Sequence, residues 1–235
     1  MLIVAGAPAP AVATTGGVAP SGTPAPAAKA PVAKRHTAPV TSHSTSLAYK
    51  GPVYEKTATG QIVPFASAQT SSEQKAVTGG SAAAVPAVAK PELLVPGHTA
   101  RVVDGLAAAP MSVPAAVQEI VWAGNQIIGL PYIFGGGHAS FSSSGYDCSG
   151  TVSFALHGAS LLSTPEDSSE FMVFGSHGVG TWVTVFTNPG HAYMTVAGLR
   201  LDTSAADDPS NQQGPRWRPL RPANGGFTVR HPTSY

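Results

Sequence analysis

The chain has a single cysteine, Cys148, in the run Gly145-Tyr146-Asp147-Cys148-Ser149-Gly150. A lone thiol closes no internal disulfide, so it is either a small buried apolar residue or a nucleophile. The run leaves a Gly/Ser-rich loop and leads into an apolar stretch that reads as a helix. A thiol at a helix start feels the positive end of the dipole and the unpaired N–H groups there, and both favour thiolate. The same N–H groups are where an oxyanion could be held. A thiolate also needs a proton-transfer partner. Of the five histidines after residue 114, His138, His157, His177 and His231 fall in loops, at a helix end or in the tail, and read as solvated. His191 opens an apolar strand directly after Pro189-Gly190, which projects an imidazole from a rigid sheet edge. With Ala197-Gly198 as a two-residue turn, Val196 pairs with Leu199, Tyr193 with Asp202 and His191 with Ser204. Asp202 then lies diagonal to His191 on one sheet face, as an orienter of the imidazole or as a strand-end turn former, with Ser204 in reserve.

The elements that must hold these residues follow from periodicity. Val117, Ile120, Val121, Gly124, Ile127 and Ile128 recur at helical spacing, so 115–128 reads as an amphipathic helix, with Pro114 at its start and Gly129 past its end. A second helix runs from Asp147 or Cys148 to about His157, ended by Gly158. Ser163-Thr164-Pro165-Glu166-Asp167 reads as a turn or the start of a short helix reaching Phe171. Residues 182–187 alternate with a period of two and form a strand, 191–196 a second, 199–203 a third, and 227–229 a last one. Helices followed by antiparallel strands make an α+β domain. Trp217, between Arg216 and Arg218, reads as an aromatic packing the tail onto that domain.

Composition divides the 235 residues. Residues 1–114 hold 14 of the 22 prolines but only Tyr49, Tyr54 and Phe65 of the 17 aromatic residues. Too few large side chains are present there to offset ordering entropy. The expected organisation is a disordered Ala/Pro/Thr-rich arm over 1–112 and one globular domain over 113–235. Within the arm, 60–65 is assigned no more than a transient strand. The arm carries eight basic against four acidic residues, too dilute for specific nucleic-acid binding; the rest carries five against eight. No stretch has the length of a transmembrane helix. The start, Met1-Leu2-Ile3-Val4-Ala5, lacks a basic n-region and reads as the possible remnant of a secretion signal. Asp207-Asp208 reads as a solvated loop, and no metal is expected.

Leu130-Pro131-Tyr132, Gly135-Gly136, Asp147-Cys148-Ser149-Gly150 and, later, Gly190-His191 opening a hydrophobic strand together resemble the NlpC-type cell-wall peptidase family. The resemblance covers about 115–205. It implies a papain-like fold, in which a cysteine-bearing helix packs on an antiparallel sheet. It implies Cys148 as nucleophile, His191 as base and Asp202 near the third position, which orients the imidazole. It also implies Tyr132 lining the site near the oxyanion, and Asp147 and Ser149 shaping a substrate subsite. The implied activity is hydrolysis of a peptide bond in peptidoglycan stem peptides, without cofactor, by a secreted or wall-associated protein.

Two positions depart from the family pattern. The third residue is often histidine there, and the usual Pro-Gly-Asp-Leu strand before the histidine is replaced by Gly180-Thr181-Trp182-Val183. Competing expectations are a non-catalytic surface protein with a degenerate papain-like module, and an amidase or acyltransferase of the same broad fold.

Overall fold

The computed structural model describes residues 49–65, 89–206, 211–221 and 224–235. Among them the chain forms two α-helices and eleven strands. The helices are α1 (Ala115–Ile127) and α2 (Cys148–Gly158). The domain is α+β, as its periodicity indicates.

The sheet behind the candidate residues is antiparallel throughout. It comprises β6 (Ser176–His177), β7 (Val183–Asn188), β8 (His191–Val196), β9 (Leu199–Asp202), β10 (Arg216–Arg218) and β11 (Thr228–His231), in the order β10-β9-β8-β7-β11-β6. Ala197 and Gly198 both have positive φ, 46° and 92°, the geometry of the tight turn that matches strand twist. That turn sets the expected register, Val196 opposite Leu199 and Met194 opposite Leu201. Val185, Ala192, Met194, Val196 and Leu201 point into the main core with Val117, Ile120 and Val121 of α1 and Val152, Ala155 and Leu156 of α2. Burying each large aliphatic side chain contributes about 1.5–3 kcal/mol. A 3₁₀ turn, Glu170–Val173, ends the segment read as a turn or short helix, and Phe171 is fully buried there.

The expected boundary at residue 113 is corrected. Residues assigned to a structureless arm form a five-stranded sheet: β1 (Tyr54–Lys56), β2 (Ile62–Pro64), β3 (Glu92–Val95), β4 (Arg101–Val103) and β5 (Leu106–Pro110), in the order β2-β1-β3-β5-β4. All its pairings are antiparallel except β3 with β5, which is parallel. The segment 60–65, read as at most a transient strand, supplies β2. The aromatic count misled because small residues do the packing: Ala107, Ala108 and Ala109 are completely buried, beside Leu93, Leu94 and Val95. Asp104-Gly105, both at positive φ, closes the β4–β5 hairpin. The parts of the expected arm at 1–48 and 66–88, including the signal-like start, lie outside the described residues, as do Asp207 and Asp208.

Asn125, buried in α1, joins this sheet to the other. Its Oδ1 accepts from the backbone N–H of Ala107 (2.9 Å) and from Trp217 Nε1 (2.8 Å), and its Nδ2 donates to the Ala107 carbonyl (2.8 Å). Trp217 thus fastens the tail to the helix, as its position suggested. Asn125→Ala orphans three buried polar groups, and leaving such groups unpaired costs about 1–3 kcal/mol each. The expected result is a loss of about 3 kcal/mol in urea-induced unfolding. An unchanged midpoint overturns this account of the junction.

Candidate active site

The start of α2 is built by Asp147. Its backbone is extended and its carboxylate accepts from the Gly150 N–H at 2.8 Å, an N-cap that leaves Cys148 as the first helical residue. The same carboxylate accepts from the Gly135 N–H at 2.9 Å, and the Asp147 N–H donates to the Gly136 carbonyl at 3.2 Å. The glycine loop therefore lies against the helix start. A Cβ on Gly150 would stand 2.0 Å from the Gly136 oxygen, so only glycine permits this approach.

His191 is the first residue of β8, paired with Asn188 across the turn at Pro189-Gly190. Continuing the β8–β9 register puts Asp202 diagonal to it, and His191 Nε2 lies 3.0 Å from Asp202 Oδ1. Asp202 is 1% exposed. Beyond His191, it accepts from the Ser204 N–H at 2.9 Å and from Arg200 Nη1 at 2.9 Å. Ser204 therefore supports Asp202 with its backbone, and its hydroxyl accepts from the Ala206 N–H. With Nε2 engaged by Asp202, Nδ1 is the ring nitrogen left for the Cys148 sulfur, and the two groups each favour the other's charge.

The electrostatics favour an ion pair. Burial pushes the Cys148 thiol up, but the hydrogen bonds from His191, the Ala192 N–H and Ser168, with the imidazolium charge, outweigh it and leave the thiol below its ordinary value. Burial opposes charge on His191 too. The Asp202 hydrogen bond and the two facing negative groups overcome that and raise its pKa to about 9. For Asp202, burial raises the pKa, while His191, the Ser204 N–H and Arg200 bring it below the usual carboxylate value. Burial and the negative charges of Cys148 and Asp147 raise the Tyr132 phenol, which keeps its proton as a donor.

Tyr132, Cys148, Ser149 and Ser168 line an open cleft of about 300 Å³. Phe134, 90% exposed, stands at its rim. Of the residues expected here, Asp202 is hydrogen-bonded to His191, Cys148 is electrostatically coupled to His191, and Tyr132, Asp147 and Ser149 line the same cleft as the sulfur. The carboxylate of Asp147 is 5% exposed and largely engaged by the fold.

Three participants were missed. Ser168 Oγ lies 3.7 Å from Cys148 Sγ, its carbonyl accepting a short hydrogen bond from Thr187. No spacing rule reaches from Ser168 to Cys148, because a loop carries it there. Arg200 lies on β9 two residues before Asp202, hence on the same face, and a period-two reading could have found it. His138, read as a solvated loop residue, is corrected: its Nε2 is 3.0 Å from both Asp147 Oδ1 and Ser149 Oγ, because the close-packed glycine loop carries it to the helix start.

Among the described residues, no group of three His, Cys, Asp or Glu side chains is placed to hold a metal ion, and no helix is long and apolar enough to cross a membrane. No family model matches the chain, and a search of curated proteins finds no match.

A thiolate reacts with alkylating agents and a thiol does not, so Cys148 should alkylate well below the pH at which a free cysteine begins to react. The expected outcome is substantial iodoacetamide labelling at pH 6, with a rate at least tenfold above that of a free cysteine. A rate that rises only above pH 8 overturns the ion pair.

Proposed function

We propose that the protein is a secreted or wall-associated cysteine peptidase that cleaves a peptide bond in peptidoglycan stem peptides, with the NlpC-type arrangement of a papain-like site. The observation that carries this reading is the series of Cys148 at a helix start, His191 at a strand start, each favouring the other's charge, and the buried Asp202 hydrogen-bonded to the imidazole. A sulfur that is merely a small buried apolar group needs no imidazole, and an imidazole that is merely solvated needs no buried carboxylate. The intact series also weighs against a degenerate, non-catalytic module. The choice of stem peptides as substrate rests on the resemblance carried by Asp147-Cys148-Ser149-Gly150 with Pro131-Tyr132 and Gly135-Gly136 upstream.

The chemistry is acyl transfer in two steps. The Cys148 thiolate attacks the carbonyl carbon, and the oxyanion is held by N–H groups at the start of α2 and by the Tyr132 hydroxyl. His191 gives its proton to the departing amine, and the C–N bond breaks to leave a thioester. His191, now neutral, takes a proton from water, whose attack releases the acid and restores the thiolate. Asp202 holds the ring in place and stabilises its charge throughout.

Digestion of purified peptidoglycan, with products identified by mass spectrometry and Cys148→Ala as control, tests the proposal. New amino termini within the stem peptides are expected. Release of whole stems from the glycan would assign the protein to the amidases, and no Cys148-dependent product would reject the reading.

A further inference from the structure

A buried carboxylate beside a nucleophile can compensate a cationic group of a substrate only where it has lone pairs open to the cleft, since a positive charge there must regain what it loses on leaving water. Asp147 is a buried carboxylate in the cleft, next in sequence to Cys148. The accepting capacity of its Oδ1, the oxygen facing His138, is already used. Oδ1 takes the Gly150 N–H at 2.8 Å, the His138 ring at 3.0 Å and the Ser149 hydroxyl at 3.5 Å, while Oδ2 takes the Gly135 N–H at 2.9 Å. A carboxylate can only accept, so His138 Nε2 carries the hydrogen that points at Asp147. The imidazole, its side chain 33% exposed, forms part of the cleft lining in front of a carboxylate that is 5% exposed.

We infer that His138 fills the cation-binding position of the cleft and so makes it select substrates whose amino end is an amide rather than a free ammonium. The inference rests on the peptidase reading and sharpens its substrate class. An ammonium group entering the cleft would lose water and find no open lone pair on Oδ1, with a ring N–H already in its place. An acylated amino end brings no charge to desolvate. The other carboxylate lining the cleft, Asp167, is exposed and caps the 3₁₀ turn by accepting from the N–H groups of Ser169 and Glu170 at 2.7 and 2.9 Å. Water screens a charge in that position, so it compensates little.

Two measurements on the full chain test this. The first compares wild-type kcat/KM on two synthetic stem peptides identical except that one has a free and the other an acetylated amino terminus. The acetylated peptide should be favoured at least tenfold, and a preference for the free amine overturns the inference. The second does not depend on peptide cleavage. It compares alkylation of Cys148 by neutral iodoacetamide and by cationic 2-bromoethylamine, in the wild type and in His138→Ala. The rate ratio of cationic to neutral probe should rise at least tenfold in the variant, with the iodoacetamide rate reporting that the thiol environment is intact. An equal ratio in both proteins overturns the inference. If neither peptide is cut, the peptidase reading fails, while the alkylation ratio still decides whether His138 occupies a cation site.

Discussion

Cys148→Ala is expected to reduce hydrolysis of stem peptides to background while the protein stays folded. Every bond-making step passes through the sulfur, so no neighbouring group can substitute for it. The Ser168 hydroxyl lies 3.7 Å from the sulfur on a separate loop and is not held where the sulfur is. Alanine suits the first turn of α2, whose N-cap comes from Asp147 and not from the cysteine. The melting temperature should therefore shift by no more than about 2 °C, the effect of a fraction of a kcal/mol. A second readout separates loss of chemistry from loss of structure. The thiolate is one of the groups that raise the His191 pKa, so removing it should lower that pKa from about 9, seen as an NMR titration of the ring. Retained cleavage, or an unshifted His191, would contradict the thiolate–imidazolium pair.

The site was more legible than the domain around it, for a physical reason. Cys148, His191 and Asp202 sit on elements whose local signals agree: an Asx cap before an apolar helix, a Pro-Gly turn before an alternating strand, a two-residue turn that fixes register. From that register the contact between His191 and Asp202 followed by counting. Long-range packing left no such trace. The sheet of β1–β5 is held by buried alanines and by Asn125, whose partners Ala107 and Trp217 lie 18 and 92 residues away. Nothing in the local pattern of Leu106-Ala107-Ala108-Ala109-Pro110 distinguishes a buried strand from a proline-flanked linker. His138 was missed for the opposite reason. A histidine in a glycine loop is ordinarily solvated, and only the close approach of Gly136 to Gly150 brings this one to Asp147.

The face of β8 and β9 that carries the pair also shows how the buried Asp202 is compensated. A buried carboxylate is costly unless compensated. Here Arg200, 1% exposed, donates to it from behind, and the Arg218 guanidinium donates to the Asp202 carbonyl at 3.2 Å. Arg200 also reaches the carbonyls of Pro219 and Ala206, tying the tail to the same point. The charge balance therefore comes from Arg200 on β9 itself and from Arg218 on the adjacent β10.

His191→Ala should lower kcat/KM by about a thousandfold or more, the scale of a lost general acid–base group combined with a thiol returned to its resting state. The pH profile identifies the role. In the working form Cys148 is ionised and His191 carries a proton, so activity requires a pH above the lowered thiol value and below about 9. Wild-type kcat/KM should form a plateau across neutral pH and fall as pH rises through about 9. Asp202→Asn keeps an acceptor near Nε2 but removes the charge that helps raise the ring's pKa, so the alkaline limb should move down toward the ordinary histidine value. Its loss at neutral pH should be smaller than that of His191→Ala and should grow with pH. The stability linkage has a definite sign as well. A group that binds its proton more tightly in the fold stabilises it fully below its unfolded pKa, ordinarily about 6.5, and loses that contribution as pH rises through about 9. Cys148 acts with the opposite sign, because the unfolded thiol holds a proton that the folded thiolate lacks, so the two contributions offset across neutral pH. Wild-type unfolding free energy should stay level there and decline only as the unfolded thiol ionises and His191 loses its proton at about 9. In His191→Ala that alkaline decline should be absent. An alkaline limb that stays in place in Asp202→Asn would remove Asp202 from the series and leave His191 to be raised by Cys148 alone.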